Sequence, residues 1–223
     1  MSRRVIKAVL FDLDGTLVDT APDFLWALNQ LRKSLGQPPL SEPEIRTAIS
    51  DGSAGLVRNT LGINDNEPLF ESIRQQLLTH YLEIIGLYAK LYPGLGDLLV
   101  EFESAGIAWG ISTNKPSLYT NALLDQMTLP SKPRTVVCPD HVSKPKPDAE
   151  PLLLNCRHLN LMPHDVVFVG DHVRDVQAGK AAGMHTIAAA WGYIDTPSEA
   201  EGWQADAVCY RSQDLYQVIK DWQ

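Results

Sequence analysis

Two carboxylates, Asp12 and Asp14, stand two residues apart and are followed directly by Gly15 and Thr16. They close an almost unbroken apolar run over residues 5–11, a pattern that predicts a buried parallel strand. Open α/β sheets bind their ligands at the C-terminal edge of such strands. Neighbouring carboxylates with no base beside them need a cation to stay ionised together. Aspartates and a hard divalent cation point to phosphate chemistry. A calcium loop is the competing reading of D-x-D-G, but its sixth position needs glycine where this chain has Leu17, and it should follow a helix.

The same kind of chemistry recurs further along the chain. Ser112-Thr113-Asn114-Lys115, Lys144-Pro145-Lys146-Pro147-Asp148 and Gly170-Asp171-His172 each follow or lie between apolar runs. Singly they are ordinary: Thr113-Asn114 would cap a helix, and Lys-Pro pairs are common in loops. Jointly they matter if the strands are parallel, because all would then meet at one sheet edge.

The periodicity predicts that arrangement. Strands are expected at 5–11, 107–112, 136–138, 166–169 and 186–190. Helices are expected at 95–104 and 117–126, after Pro151, after Val173, and at about 213–222. Such alternation implies a parallel sheet covered on both faces. Between the first strand and Pro93-Gly94 the pattern is helical instead. Phe24, Leu25, Leu28, Leu31 and Leu35 recur at helical spacing, and Gly36 with Pro38-Pro39 stops them. Ser41 and Glu44 form a capping box for a second helix, a third covers 55–61, and a fourth covers 67–85. The expected fold class is α/β, a doubly wound parallel-sheet (Rossmann-like) core with a small helical cap domain inserted after the first strand. Residues 1–18 and 89–223 would form the core and 19–88 the cap.

Composition narrows the function classes. A net charge of −8 argues against binding nucleic acid through its phosphates. No apolar run approaches the roughly 18–20 residues of a membrane span. The run after Arg3-Arg4 is short and ends in Asp12, so it reads as part of the fold rather than a leader. Cys138, Cys156 and Cys209 make no paired spacing, which suggests reduced thiols and a cytoplasmic protein. The histidines form no zinc pattern. The partner expected is a small-molecule phosphate ester, with no nucleic acid and no membrane. The chain would act as a monomer or homodimer.

The ordered set D-x-D-G-T, strand-ending Thr113-Asn114, a Lys-Pro loop and Gly170-Asp171-x-x-x-Asp175 resembles the haloacid dehalogenase-like phosphatases, within them the phosphoglycolate phosphatase group. Asp19-Thr20-Ala21-Pro22-Asp23, Thr113-Asn114-Lys115-Pro116 and Cys138-Pro139-Asp140-His141-Val142 are most similar to its N-acetylmuramate 6-phosphate phosphatase branch. Trp191-Gly192-Tyr193-Ile194 and Trp203-x-Ala205-Asp206 fit that branch too. The resemblance implies Asp12 as nucleophile, forming an aspartyl-phosphate, and Asp14 as general acid and base. It implies Mg²⁺ held by the Asp12 and Asp171 carboxylates and the Asp14 main-chain carbonyl, with Asp175 supporting the site. Thr113 and Asn114 would bind phosphoryl oxygens, beside one lysine.

Either Lys144 or Lys146 matches the lysine motif. The spacing to Pro151 and Asp171 that the resemblance implies favours Lys146. His172 stands where relatives often carry an acid, and would either weaken metal binding or face solvent. In the cap, the stretch 51–55, read as a small loop containing Gly52 and Ser53, together with Arg58, would recognise the leaving group. The substrate implied is N-acetylmuramate 6-phosphate, with phosphoglycolate the alternative. A sugar phosphomutase shares the whole site. A non-catalytic phospho-binding module would be about half this length and lack the cap. A dehalogenase would have no need of Asp14.

Overall fold

The computed structural model describes residues 6–222. Val5, expected to begin the first strand, and the Arg3-Arg4 pair lie outside the described residues. β1 (Ala8–Phe11) is buried at every position. It leads to a two-residue β2 (Val18–Asp19) and then to α1 (Ala21–Ser34), α2 (Arg46–Ser50), α3 (Gly52–Leu61) and α4 (Phe70–Ile84). The chain returns through β3 (Lys90–Leu91) to α5 (Leu95–Ser104), β4 (Ala108–Ser112), α6 (Ser117–Gln126), β5 (Thr135–Val137) and α7 (Glu150–Leu159). β6 (Val166–Gly170), α8 (Val173–Ala182), β7 (His185–Ala189), β8 (Ala207–Cys209) and α9 (Leu215–Lys220) complete it.

The sheet has six strands in the order β5-β4-β1-β6-β7-β8, and every pairing in it is parallel. The chain winds outward from β1 in one direction through β4 and β5, then in the other through β6 to β8. The fold is therefore a doubly wound α/β core, as the alternating pattern implies. Reversal of winding at β1 opens a crevice at the strands' C-terminal ends. Successive strand residues face opposite sides of the sheet. Val9, Phe11, Val167 and Val169 enter the larger core cluster. Ala8, Leu10, Val166 and Phe168 enter the smaller one against Leu152 and Ala178. Both faces are apolar, which is why these strands show no alternation in sequence.

Three elements differ from expectation. β8 extends the sheet by a sixth strand, and its three residues are too few to show a period. β2 and β3 pair antiparallel, Val18 opposite Leu91 and Asp19 opposite Lys90, where only a boundary was anticipated. The pair brings together the two ends of the helical insert. The Ser41–Glu44 capping box is present, with Glu44 Oε2 accepting from the Ser41 N–H at 2.8 Å. It opens a single 3₁₀ turn, however, and α2 starts only at Arg46.

The insert is joined to the rest by apolar and polar contacts. Phe24, Leu28, Leu31, Ile73, Leu77 and Tyr81 belong to the same core cluster as Phe11 and Val169. Phe24 of α1 and Tyr81 of α4 stack with ring centroids 4.0 Å apart. Buried Asp23 accepts main-chain hydrogen bonds from Gly86, Tyr88 and Ala89 at 2.7, 2.8 and 3.1 Å. One carboxylate thus ties the start of α1 to the segment that returns to β3. Burial pushes its pKa up despite those three donors.

Candidate active site

Lys146 is the centre of the polar crevice. Its side chain is fully buried, and Nζ lies 3.0 Å from Asp12 Oδ1 and 2.8 Å from Asp175 Oδ1. It also donates to the Ser112 carbonyl at 2.8 Å. One ammonium therefore joins the ends of β1 and β4 to the first turn of α8. Burial opposes its charge, but the two carboxylates outweigh that and hold its pKa above the ordinary lysine value. Asn114 fixes the lysine's backbone, donating to the Lys146 carbonyl at 2.9 Å and accepting from its N–H at 3.2 Å. Lys144 is exposed, and its N–H is spent on Glu150. The structure places Lys146, and not Lys144, in the crevice.

Asp171 follows β6 and is held from two sides. Thr16 Oγ1 and the Tyr193 N–H each donate to it at 2.8 Å. Two glycines make room for it. Gly15 has φ +81°, and a Cβ there would lie 2.2 Å from Asp171 Oδ2. A Cβ on Gly192 would lie 2.2 Å from the Asp171 Cβ. Burial, and then the charges of Asp12 and Asp175, push the Asp171 pKa up to about 7. Burial raises that of Asp175 to about 6, with Lys146 opposing the rise. Carboxylate oxygens of Asp12, Asp171 and Asp175 lie within 4.8 Å of one another, all buried. Three buried acids around one lysine are short of positive charge, and hard oxygen donors so arranged fit a small divalent cation.

Asp14 points elsewhere. Thr20 Oγ1 donates to its Oδ1 at 2.6 Å, and Lys115 Nζ lies 3.0 Å from the same oxygen. Lys115 is itself buried, donates to the Tyr81 hydroxyl at 2.9 Å, and sits 4.9 Å from the Phe24 ring centre. A core carboxylate is thereby linked to two helices of the insert. Thr113 is buried beside it and accepts from the Lys115 N–H at 3.1 Å.

Above these groups lies a cavity of about 290 Å³. The strand ends contribute Asp12, Asp14, Thr113, Asn114 and Asp171, and the insert contributes Gly52, Ser53, Arg74, Leu78 and Tyr81. Gly52 and Ser53 thus line it as expected, though they form the first turn of α3 and not a loop. Arg58 does not line it. Six residues on from Gly52 it has turned about 240° around the helix, and it pairs with exposed Asp65 at 2.8 Å.

A sequence model of haloacid dehalogenase-like hydrolases matches residues 9–189, the span from β1 to β7. The chain belongs to that family. An N-acetylmuramic acid 6-phosphate phosphatase of Pseudomonas aeruginosa is 39% identical over 98% of this chain and 97% of its own. A phosphoglycolate phosphatase of Xylella fastidiosa is 35% identical over 91% of this chain and 88% of its own. The crystal structure of a predicted phosphoglycolate phosphatase from Haemophilus somnus shares the fold, with a TM-score of 0.82 at 24% identity over 96% of this chain and 98% of that one. This haloacid dehalogenase-like hydrolase is a phosphatase.

Several residues in the hydrolase's crevice have no site role that the sequence assigned. Lys115, Tyr81, Thr20, Arg74 and Arg174 gain their place only through contacts between distant elements. Arg174 donates to the Ser50 carbonyl, joining α8 to the end of α2. The Tyr193 hydroxyl accepts from the N–H groups of Thr20 and Ala21 at 2.7 and 2.8 Å, which anchors the entry to α1. His172 is half-buried, and its main-chain N–H donates to Asp175 Oδ2 at 3.1 Å. It caps α8, its Nδ1 accepting from the Arg174 N–H at 3.1 Å. That acceptor role needs a neutral ring, and burial, then Arg174, push its pKa down to about 4. Among the described residues, no helix is long and apolar enough to cross a membrane.

Proposed function

We propose that this phosphatase is a Mg²⁺-dependent phosphomonoesterase acting on N-acetylmuramate 6-phosphate through an aspartyl-phosphate, with residues 19–88 as a cap over the substrate. The observation that carries the chemistry is Lys146 buried between Asp12 and Asp175 beside Asp171. The substrate is supported by the 39% identical relative, matched along its length. A cavity of about 290 Å³ is more than a two-carbon alcohol requires and is close to the size of pockets for larger ligands. The unpaired cysteines are buried and free, in keeping with a reducing cytoplasm.

Asp12 attacks phosphorus in line, so that a bond forms to its carboxylate oxygen as the ester P–O bond breaks. Asp14 gives its proton to the departing alkoxide. It then takes a proton from the water that releases phosphate and restores Asp12. Lys146 offsets negative charge as the anions approach. Thr113 and the Asn114 main chain hold the phosphoryl oxygens. Mg²⁺, held by Asp12, Asp171 and the Asp14 main-chain carbonyl with Asp175 in support, would neutralise the phosphate and the attacking carboxylate. Aromatic and apolar cap residues exclude water from the crevice.

The test is phosphate release with Mg²⁺ from N-acetylmuramate 6-phosphate and from phosphoglycolate, with Asp12→Asn as blank. A preference of about a hundredfold for the amino sugar, roughly 2.7 kcal/mol in the barrier, supports the reading. The reverse preference replaces it with the function named for the Xylella relative.

A further inference from the structure

Resting on the reading that this site cleaves a phosphate monoester, we propose that Arg74 recognises a carboxylate on the leaving group. The residue would select alcohols whose carboxylate lies remote from the ester oxygen. Three cations line the cavity among the described residues: Arg74, Lys115 and Arg174. Lys115 is committed to Asp14 and Tyr81, and Arg174, on the core helix α8, stands at the end of α2, giving one donor, Nη2, to the Ser50 carbonyl. Arg74, on α4, is the cation that the helical insert supplies.

Its guanidinium is held from one side. Glu71 accepts from Nε and Nη2, each at 2.8 Å, and Gln75 steadies Glu71 at 2.7 Å. An arginine carries five N–H donors in a planar fork. The pairing with Glu71 uses the Nε–Nη2 edge and leaves the end-on Nη1–Nη2 edge. On that edge the one hydrogen bond among the described residues goes to Ser53 Oγ, a neutral acceptor 3.2 Å from Nη1. An oriented fork with a free edge is the arrangement that binds a carboxylate bidentately. Position within the cavity adds to this. Lys115 stands beside Asp14, 3.0 Å from its Oδ1, on the side of the ester oxygen. Arg74 and Ser53 belong to the wall that the insert supplies, the side that a carboxylate carried across a sugar ring would face.

N-Acetylmuramate 6-phosphate and N-acetylglucosamine 6-phosphate differ only in the lactyl ether that carries the carboxylate. The experiment compares kcat/KM for this pair, and for phosphoglycolate against ethyl phosphate, in wild type, Arg74→Ala and Arg74→Lys, with melting curves as a check on folding. The wild type should prefer the muramate ester. Arg74→Ala should cut that preference by about 50-fold, mostly through KM, the scale of a lost charge-assisted pair. Arg74→Lys should restore part of it. An unchanged ratio in Arg74→Ala, or equal losses on both esters of the pair, overturns the assignment. A wild type that prefers phosphoglycolate overturns the choice of amino sugar and the remote carboxylate with it. A wild type indifferent to the carboxylate in both pairs overturns the assignment, while phosphate release still upholds the monoesterase reading.

Discussion

At the scale of single residues, charge balance inside the crevice decides what each group can do. Lys146 lies within 3.0 Å of Asp12 and 2.8 Å of Asp175 while wholly shielded from water. Removing one member of a buried pair leaves the other charge uncompensated. Lys146→Met should therefore lower stability by about 3–5 kcal/mol in urea unfolding and abolish turnover. Lys144→Ala, at an exposed position, should change stability by no more than about 0.5 kcal/mol. If the two variants behave alike, the assignment of the lysine is wrong. Asp12→Asn should lower phosphate release about 10³-fold or more and leave the melting curve cooperative. A residual rate within tenfold of wild type would remove Asp12 from its role as nucleophile.

At the scale of elements, the insert is held by main-chain hydrogen bonds that its helices do not themselves predict. Asp23 accepts from three N–H groups of the returning chain. Asp23→Ala would leave those donors unsatisfied. A cost of about 3 kcal/mol or more is expected at 1–3 kcal/mol for each buried orphan. Limited proteolysis should find new cuts near residues 84–89, and an unchanged digest would count against a clamp there. The turn after β7 sets the opposite wall. Gly192→Ala would drive a methyl against Asp171, so this variant should need more Mg²⁺ for half-maximal activity. Equal Mg²⁺ requirements in the two proteins would show that the wall yields.

At the scale of the whole molecule, parallel strands bring Asp12, Thr113, Lys146 and Asp171 to one edge, and the insert closes over them. Three buried carboxylates against one lysine leave an excess of negative charge. Mg²⁺ should stabilise the native protein by about 2.7 kcal/mol at a hundred times its Kd. Chelation should lower the melting temperature and stop turnover. Asp171→Asn should lose most of that thermal response, whereas a full response would place the ion elsewhere.

The parallel core and the polar groups at its edge were legible because they rest on local patterns. Apolar runs gave the strands, and the polar residues at their ends fall at one edge for any doubly wound sheet. Asp12, Asp171 and Asp175 could be read from motifs, and Lys146 could be separated from Lys144 by its spacing to Pro151 and Asp171. The cap wall was not legible in this way. Arg58 sits near Gly52 in sequence yet faces Asp65, because a helix rotates about 100° per residue. Arg74 reaches Ser53 only through the packing of α3 and α4. Lys115 meets Asp14 across 101 positions of sequence, and Tyr193 meets Thr20 across 173. β2, β3 and β8 are too short to carry a period. Local patterning thus determined the parallel core and which polar groups meet at its edge. Tertiary packing alone decided which side chains line the crevice, because those contacts join segments whose separation leaves no periodic trace.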